Sequence, residues 1–476
     1  MSSMTVVGID LGTQSVKVAA VDDEGRVVAS ATRPYAVTSP HPGWAETDPA
    51  EWLAATVDAA DEVMSGLTVQ PEAVGLSGQM HGVVACTSDG TPLRPAITWA
   101  DSRSAQQAAR IAAELGPAEL ARLGSAAFPG FAGPTLAWLA EHEPDTLARA
   151  RWALQAKDWL RLVLTGQAAT DPSDASGTLL YDIVDGRWSD SAVAAARVRP
   201  DLLAPITSSS AVGGEIGVAG RSLAGLPVVI GGADAACGVR GLGLPTGRGA
   251  IALGTGAQIS SVLDSPRPDQ TLRTHTFATT GDIGEAWYRL GAVQSGGLAL
   301  ERALAWLGAD TAEAQRALAQ GIESSDPLFW PFVAGERSPY LDPTLRAGWS
   351  GLSLGTSREA MLRSVLEGMA YTVAAAYDAV RESGAAPAEP VTLLGGGSRD
   401  PAYVRLLATA LDAALQPAEV GDATVVGASR LAGMAVGRAI PPAGVREDAI
   451  VTPRADDLVD ERRARWSSGV EGSSGT

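Results

Sequence analysis

The chain has 476 residues, 46% of them hydrophobic, enough for two or more domains that each bury a core. A formal net charge of −18 argues against a nucleic-acid partner, whose phosphates are held by clustered cations, although small anions can still be bound by backbone dipoles. Only Cys86 and Cys237 are present, which disfavours a disulfide framework or a cysteine-rich metal centre and suits a reducing cytoplasm; MSSMTVVGIDLG lacks the charged start and apolar run of a signal peptide, and no stretch approaches the roughly 18 apolar residues of a membrane span.

In chain order, TVVGIDLGTQSVKVAAVDDEGRVVAS at 5–30 predicts three strands joined by tight hairpins. Helical periodicity runs from Pro49 to about Ser65, followed by apolar strands at 73–78 and 83–87. Residues 103–165 read as mostly helical, with Trp138, Trp152 and Trp159, and LPVVIGGAD at 226–234 reads as a strand ending in glycines. IDLGTQS at 9–15 is echoed by IALGTGA at 251–257, which suggests two similar halves beginning near residues 5 and 248. Further on come helices at 358–383 and 401–415, the strand and loop VTLLGGGSRDP at 391–401, and a last helix at 425–437. The end, SSGVEGSSGT, has the composition of a disordered tail.

Several of these segments can carry chemistry. The hairpins DLGTQS and LGTGA have the makings of anion cradles, because glycine lets backbone N–H groups converge and Thr or Ser adds hydroxyl donors; either could also be an ordinary turn. Asp10, at the end of the strand before the first hairpin, could hold Mg²⁺ beside phosphates or simply accept from the turn. The triple glycine in LLGGGSRD allows close approach of a flat ring or a phosphate. SGQMHG and TWADSR gather Gln79, His81, Asp101 and Arg103 at strand ends with Trp99, a set suited to a polar sugar, although His81 alone could be a structural histidine. Asp234 is a lone carboxylate in IGGADAACG, there either to cap a helix or to use its acidity; at a helix start it is expected to keep a low pKa and be ionised at pH 7.

Three other chemistries are excluded. Lys17 and Lys157, the only lysines, follow Val16 and Ala156 rather than glycine, so there is no P-loop. GLSLG at 351–355 matches a nucleophile elbow, but none of His41, His81, His142 and His275 follows Ser353, as the hydrolase order requires. The sparse Cys and His residues leave no zinc site.

Taken together, GIDLGTQSVK, HPGWAETDPAEW, SGQMHG, ITWADSR, PGFAGPTLAWLAEHEP, KDWLRLVLTGQAATDPSDASGT, GGADAACG, LGTGA, PFVAGERSPYLDP, LLGGGS and DATVVGASRLAG resemble the FGGY carbohydrate kinases, and within them the xylulokinases. The resemblance implies an α/β fold of two ribonuclease-H-like domains of the actin-like ATPase superfamily closing on a cleft. Residues 1–245 would form a sugar-binding N-terminal domain with the first phosphate hairpin, 246–455 an ATP-binding C-terminal domain, and 456–476 a partly disordered tail. It implies phosphorylation of a sugar hydroxyl by ATP with Mg²⁺, D-xylulose to D-xylulose 5-phosphate being the expected reaction. Another ketose, a polyol or a cyclitol is the alternative, and a non-catalytic nucleotide switch a further one.

By that resemblance Asp234 is the catalytic base, Asp10 the carboxylate near Mg²⁺ (acting through water), and Met80 with His81 the substrate-contacting pair, with Gln79, Trp99, Asp101 and Arg103 around the sugar. Thr13, Gln14, Ser15, Thr255 and Gly256 fall in the phosphate hairpins, and Gly396 and Gly397 in the adenosine loop. Dimers are common in the family. The chain departs from the xylulokinase pattern at Ala235, where Asn is typical, at Thr135, where Lys is usual, and at Ala360, where a polar residue is usual.

Overall fold

The computed structural model describes residues 4–420, 422–443 and 445–473. One sheet is built on β1 (Thr5–Leu11), β2 (Ser15–Asp22), β3 (Val27–Pro34), β4 (Val74–Gly78) and β5 (Pro227–Val229). The other is built on β6 (Gly249–Leu253), β7 (Ala257–Leu263), β8 (Trp287–Val293), β9 (Val391–Gly395) and β10 (Leu415–Val420). The strands lie in the order β3-β2-β1-β4-β5 and β8-β7-β6-β9-β10, with the first three of each antiparallel and the last two joined in parallel. The echo between IDLGTQS and IALGTGA is therefore a repeat of topology: Ile9 faces Val18 and Leu76, as Ile251 faces Ile259 and Leu393.

β1 is buried at every position but Asp10, as expected of a central strand covered on both faces, so its one acidic residue stands out against an apolar run. Helix α1 (Pro49–Ser65) starts where the Asp48 side chain accepts from Ala50 N and Pro49 sits in the first turn, and it buries Trp52, Val57 and Val63. The strand expected at 226–234 is interrupted after Val229. Gly231 takes φ +82°, and a Cβ there would lie 2.3 Å from the Leu76 carbonyl, so the chain turns sharply before α2 (Asp234–Leu242).

Helix α3 (Arg358–Val380) is buried along most of its length and packs against α4 (Pro401–Leu411) and the second sheet. The sequence pattern carries α4 on to residue 415, but the helix ends at Asp412, which is left-handed at φ +49°, and Leu415 already belongs to β10. Helix α5 (Ala423–Ala435) crosses to the first sheet and lies on α2, β1 and β4. Glycine is required at that crossing: a Cβ on Gly75 would sit 1.9 Å from the Ala428 carbonyl, and one on Gly427 1.9 Å from that of Cys237.

The chain end is a correction to the disordered tail. Residues Asp457–Ser473 form helix α6, and only 474–476 of SSGVEGSSGT lie outside the described residues. Val459, Arg462, Trp466 and Val470 recur at helical spacing on one buried face, and Trp466 donates its indole N–H to Phe329 O at 2.7 Å. The Ser and Gly between them dilute that pattern, and the buried members include an arginine that composition counts as polar.

Candidate active site

The first hairpin, Gly12–Gln14, joins β1 to β2 and is braced from three directions. Gln79 donates its amide to Gly12 O at 3.1 Å, Trp99 its indole N–H to Thr13 Oγ1 at 2.9 Å, and Tyr35 its hydroxyl to Gly12 O. The Gly12 carbonyl and the Thr13 hydroxyl are thereby occupied. In the second hairpin, Gly254 O and Thr255 O accept from the N–H groups of Gly297 and Leu298, at the start of the helix Gly297–Leu307. Gly256 packs so closely on β8 that a Cβ would come 2.4 Å from Val293 O.

Between the sheets lies a cavity of about 280 Å³ lined by Asp10, Asp234, Ala235, Gln258, Tyr288 and Thr424, among others. Both carboxylates that the sequence singles out thus face one small space. Burial pushes Asp10 up to about 6, with the negative charge of Asp422 adding to the rise, and Asp10 Oδ1 has no hydrogen-bond partner among the described residues. Burial likewise pushes Asp234 up to about 7, and the charge of Asp10 adds to it.

This corrects the expectation of a low pKa at the helix start. Asp234 is the first residue of α2 and its carboxylate accepts from the adjacent Ala235 N at 2.7 Å, yet desolvation outweighs that bond and the helix dipole. A buried relay holds the segment before it: Ala233 N donates to Ser173 Oγ at 2.9 Å, and Ser173 Oγ donates to Asp171, which pairs with Lys157 at 3.0 Å. The two lysines are both placed near this centre, Lys157 in that relay and Lys17 paired with Asp422.

A second cavity, of about 340 Å³, opens between the second hairpin and the triple glycine, bounded by Gly254, Gly256, Gly396, Gly397, Asp400 and Tyr403. Its inner wall is apolar, with Leu366, Met369 and Val373 from α3. Asp400 caps α4 through Oδ1, which accepts from Ala402 N at 2.9 Å, while its buried Oδ2 has no partner among the described residues. A flat base with a hydroxyl-bearing sugar would fit this lining. Gly396 meets no atom within 4 Å of an added Cβ, so a side chain there would enter the cavity without disturbing the fold.

His81 adopts φ +75°, a conformation uncommon outside glycine. Its Nδ1–H donates to Gly177 O at 2.6 Å and its ring stacks 4.1 Å from Phe131. Burial lowers its pKa to about 4, so the ring is neutral and Nε2 is left as an acceptor. Met80 is buried beside the Tyr288 hydroxyl. Asp101 and Arg103 are engaged elsewhere: they pair with each other at 2.7 Å, Asp101 accepts from Ala45 N, and Arg103 reaches Glu46 and lies 3.5 Å over Trp44. Gln79 and the indole N–H of Trp99 are likewise turned to the first hairpin, which leaves Met80, His81 and the ring face of Trp99 from the sugar-side set.

The chain and its doubled sheet have counterparts among known proteins. A model of the FGGY family of carbohydrate kinases, N-terminal domain, matches residues 5–241, and that of the C-terminal domain matches 249–436. The chain belongs to the FGGY family of carbohydrate kinases. A xylulose kinase from Escherichia coli is 34% identical over 438 residues, spanning 90% of each chain, and one from Streptomyces coelicolor is 32% identical over 476 residues, spanning 98% of this chain and 95% of that one. The crystal structure of a "xyloylose kinase" from Brucella ovis has a TM-score of 0.90 at 31% identity, covering 99% of both chains. A Plasmodium falciparum glycerol kinase with ADP, at 22% identity and a TM-score of 0.89 over 98% of each chain, shares the fold.

As an FGGY kinase the protein departs from the xylulokinase pattern with different structural consequences. Ala235 lines the cleft cavity itself. Thr135 is buried within the helix Ala132–His142. Ala360 sits in the first turn of α3, where its N–H donates to the Ser357 cap at 3.1 Å and no polar side chain is required. Ser353 lies in an exposed loop, its hydroxyl accepting from Gly355 N, with no resemblance to a strand-to-helix elbow.

Tyr288, Gln258 and Thr424 on the cleft wall, and the pair Glu336–Arg337, are further site residues that the structure adds. Thr424 lies in DATVVGASRLAG and Glu336–Arg337 is the charged dipeptide in PFVAGERSPYLDP.

Proposed function

We propose that this FGGY kinase transfers the γ-phosphoryl group of ATP to D-xylulose, giving D-xylulose 5-phosphate, with Asp234 as general base. The observation that carries the mechanism is the placement of Asp234: a buried carboxylate with its pKa pushed up to about 7, facing with Asp10 the cavity between the two sheets. The names of the relatives support the sugar. In the reaction the acceptor hydroxyl gives its proton to the Asp234 carboxylate as its oxygen bonds to the γ-phosphorus, and the bond from that phosphorus to the bridging oxygen breaks, releasing ADP. Such transfers depend mainly on positioning and on stabilising charge.

The base and ribose of ATP are proposed to occupy the glycine-lined cavity, with Asp400 Oδ2 accepting from a ribose hydroxyl. Thr13, Gln14, Ser15, Thr255 and Gly256 would face the phosphates. Asp10 suits Mg²⁺, since its Oδ1 is buried without a partner and a magnesium ion beside phosphates needs only one or two carboxylates and water. Bound there, the ion would offset the charge of the phosphates. On this reading Gly396→Val raises KM for ATP about tenfold or more while the thermal midpoint stays within a few degrees; an unchanged KM for ATP places the nucleotide elsewhere.

Ala235 favours one second reading, a kinase of the same family for another ketose, polyol or cyclitol. Its methyl group offers the sugar no hydrogen bond where xylulokinases typically have Asn, a difference of about 0.5–1.5 kcal/mol. ADP release measured with ATP and Mg²⁺ across ketopentoses, polyols and cyclitols decides between them. D-xylulose is expected to give the highest kcat/KM; a tenfold preference for another acceptor replaces the sugar, and ADP release that no acceptor stimulates overturns the kinase reading.

A further inference from the structure

The segment GERSP carries a cation that none of the roles above uses. Glu336 is buried, and its carboxylate accepts from three backbone N–H groups: Gln294 at 2.6 Å, Ser295 at 3.2 Å and Arg337 at 2.7 Å. Gln294 and Ser295 follow β8 directly and precede Gly296, which packs on Gly256 of the second hairpin. Glu336 is thereby committed to fastening its loop to the hairpin region, and among the described residues its oxygens accept no hydrogen bond from the Arg337 side chain.

Arg337 follows at once, and its guanidinium is half-buried. It has no hydrogen-bond or ion-pair partner among the described residues. Its Cζ lies 5.4 Å from the centre of the Trp99 ring, the same ring whose N–H is bonded to Thr13 of the first hairpin. It is close enough to His81 and His275 that its charge helps to hold both imidazoles neutral, after burial, which is the larger cause. Arg337 thus reaches from the second half of the chain across to Trp99 and His81 of the first. The Glu336 carboxylate offsets the Arg337 charge through space without accepting a hydrogen bond from its side chain, so the guanidinium N–H groups are left open to other oxygen acceptors. Its N–H groups can only donate, which matches the lone pairs of the carbonyl and hydroxyl oxygens of a sugar.

We propose that Arg337 is an acceptor-binding residue: its guanidinium donates to oxygens of the sugar held between Trp99, His81 and Asp234. This rests on the kinase reading above but not on the identity of the sugar. Because the guanidinium comes from the half of the chain that carries the glycine-lined cavity, the acceptor is gripped from both sides of the cleft and is best held when the two halves are together.

The test uses the full-length enzyme with whichever acceptor the unaltered protein turns over best. Removing Arg337 strands no carboxylate, since Glu336 keeps its backbone donors, so Arg337→Ala and Arg337→Gln should fold with thermal midpoints within a few degrees of the parent. Both are expected to raise KM for the acceptor about 10- to 100-fold, the effect of losing hydrogen bonds from a charged donor, while KM for ATP changes less than about threefold. Arg337→Lys should recover part of the loss, since it restores charge and donors but not the planar fork. A rise confined to KM for ATP assigns Arg337 to the nucleotide and overturns the proposal, as does an unchanged KM for the acceptor. An equal loss in all three variants with a lowered thermal midpoint shows a structural role and also overturns it. If no acceptor stimulates the parent enzyme, it is the kinase reading that has failed, and the two failures are told apart.

Discussion

Asp234→Asn is expected to lower kcat for sugar phosphorylation by about 10²–10⁴-fold while the Kd for ATP stays within a few-fold, as measured by ADP release and by nucleotide titration. Asn keeps the size and the hydrogen bond to Ala235 N but cannot take the proton of the acceptor hydroxyl. The same assignment dictates a pH profile. With Asp234 titrating near 7, kcat/KM should fall about tenfold per unit below that value, and the inflection should move to lower pH in Asp10→Asn, which removes a neighbouring negative charge that raises it. A variant that keeps more than a tenth of the parent activity, or a profile flat from pH 5 to 8, sinks the role.

The sign for stability is opposite to that of an ordinary ion-paired carboxylate. Burial raises the folded-state pKa of Asp10 and Asp234 above the usual 3.8, so the folded protein binds protons more tightly than the unfolded chain between about pH 4 and 7. Stability from these two groups is therefore fully present below about pH 4 and is lost as pH rises towards 7. Asp234→Asn should for that reason be more stable than the parent at pH 8, with the difference vanishing near pH 4. Activity at this site is maintained against stability.

The largest loss of stability is expected at Arg462. Its guanidinium is fully buried and bidentate to Glu367, at 2.6 and 2.7 Å, and it also donates to the carbonyls of Asp326 at 2.8 Å and Pro327 at 3.0 Å. Arg462→Met leaves Glu367 buried with only the Tyr371 hydroxyl, and breaking a buried pair in this way costs about 3–5 kcal/mol. The double variant Arg462→Met with Glu367→Gln should regain a substantial part, since the uncompensated charge is gone. Denaturant unfolding at pH 8 checks both; a single-variant loss below about 1 kcal/mol would show that α6 adds little to the second half of the molecule.

Much of the site was legible locally. Leu-Gly-Thr after an apolar run announces a strand and a hairpin wherever it occurs, because glycine permits the turn and the apolar run demands burial, and it did so twice. Asp10 and Asp234 were visible as single acidic residues in segments otherwise built for a core. The long helices at 49–65 and 358–380 followed from their apolar spacing. Weaker patterns failed: β8 and β10 went unrecognised, and α6 was hidden because its buried face includes Arg462.

The sequence by itself determined the repeated strand-hairpin units, the two carboxylates and, through its ordered motifs, the family, since these depend on residues adjacent along the chain. Only the tertiary structure decided how those residues behave. Asp234 titrates near 7 because burial desolvates it and the charge of Asp10, brought close by the same sheet, adds to the rise. Asp101 and Arg103 are held by Glu46 and Ala45, and Arg337 arrives beside Trp99 from more than two hundred residues away in sequence. Desolvation and charge pairing are properties of the surroundings in space, and no local pattern records which distant side chains those surroundings contain.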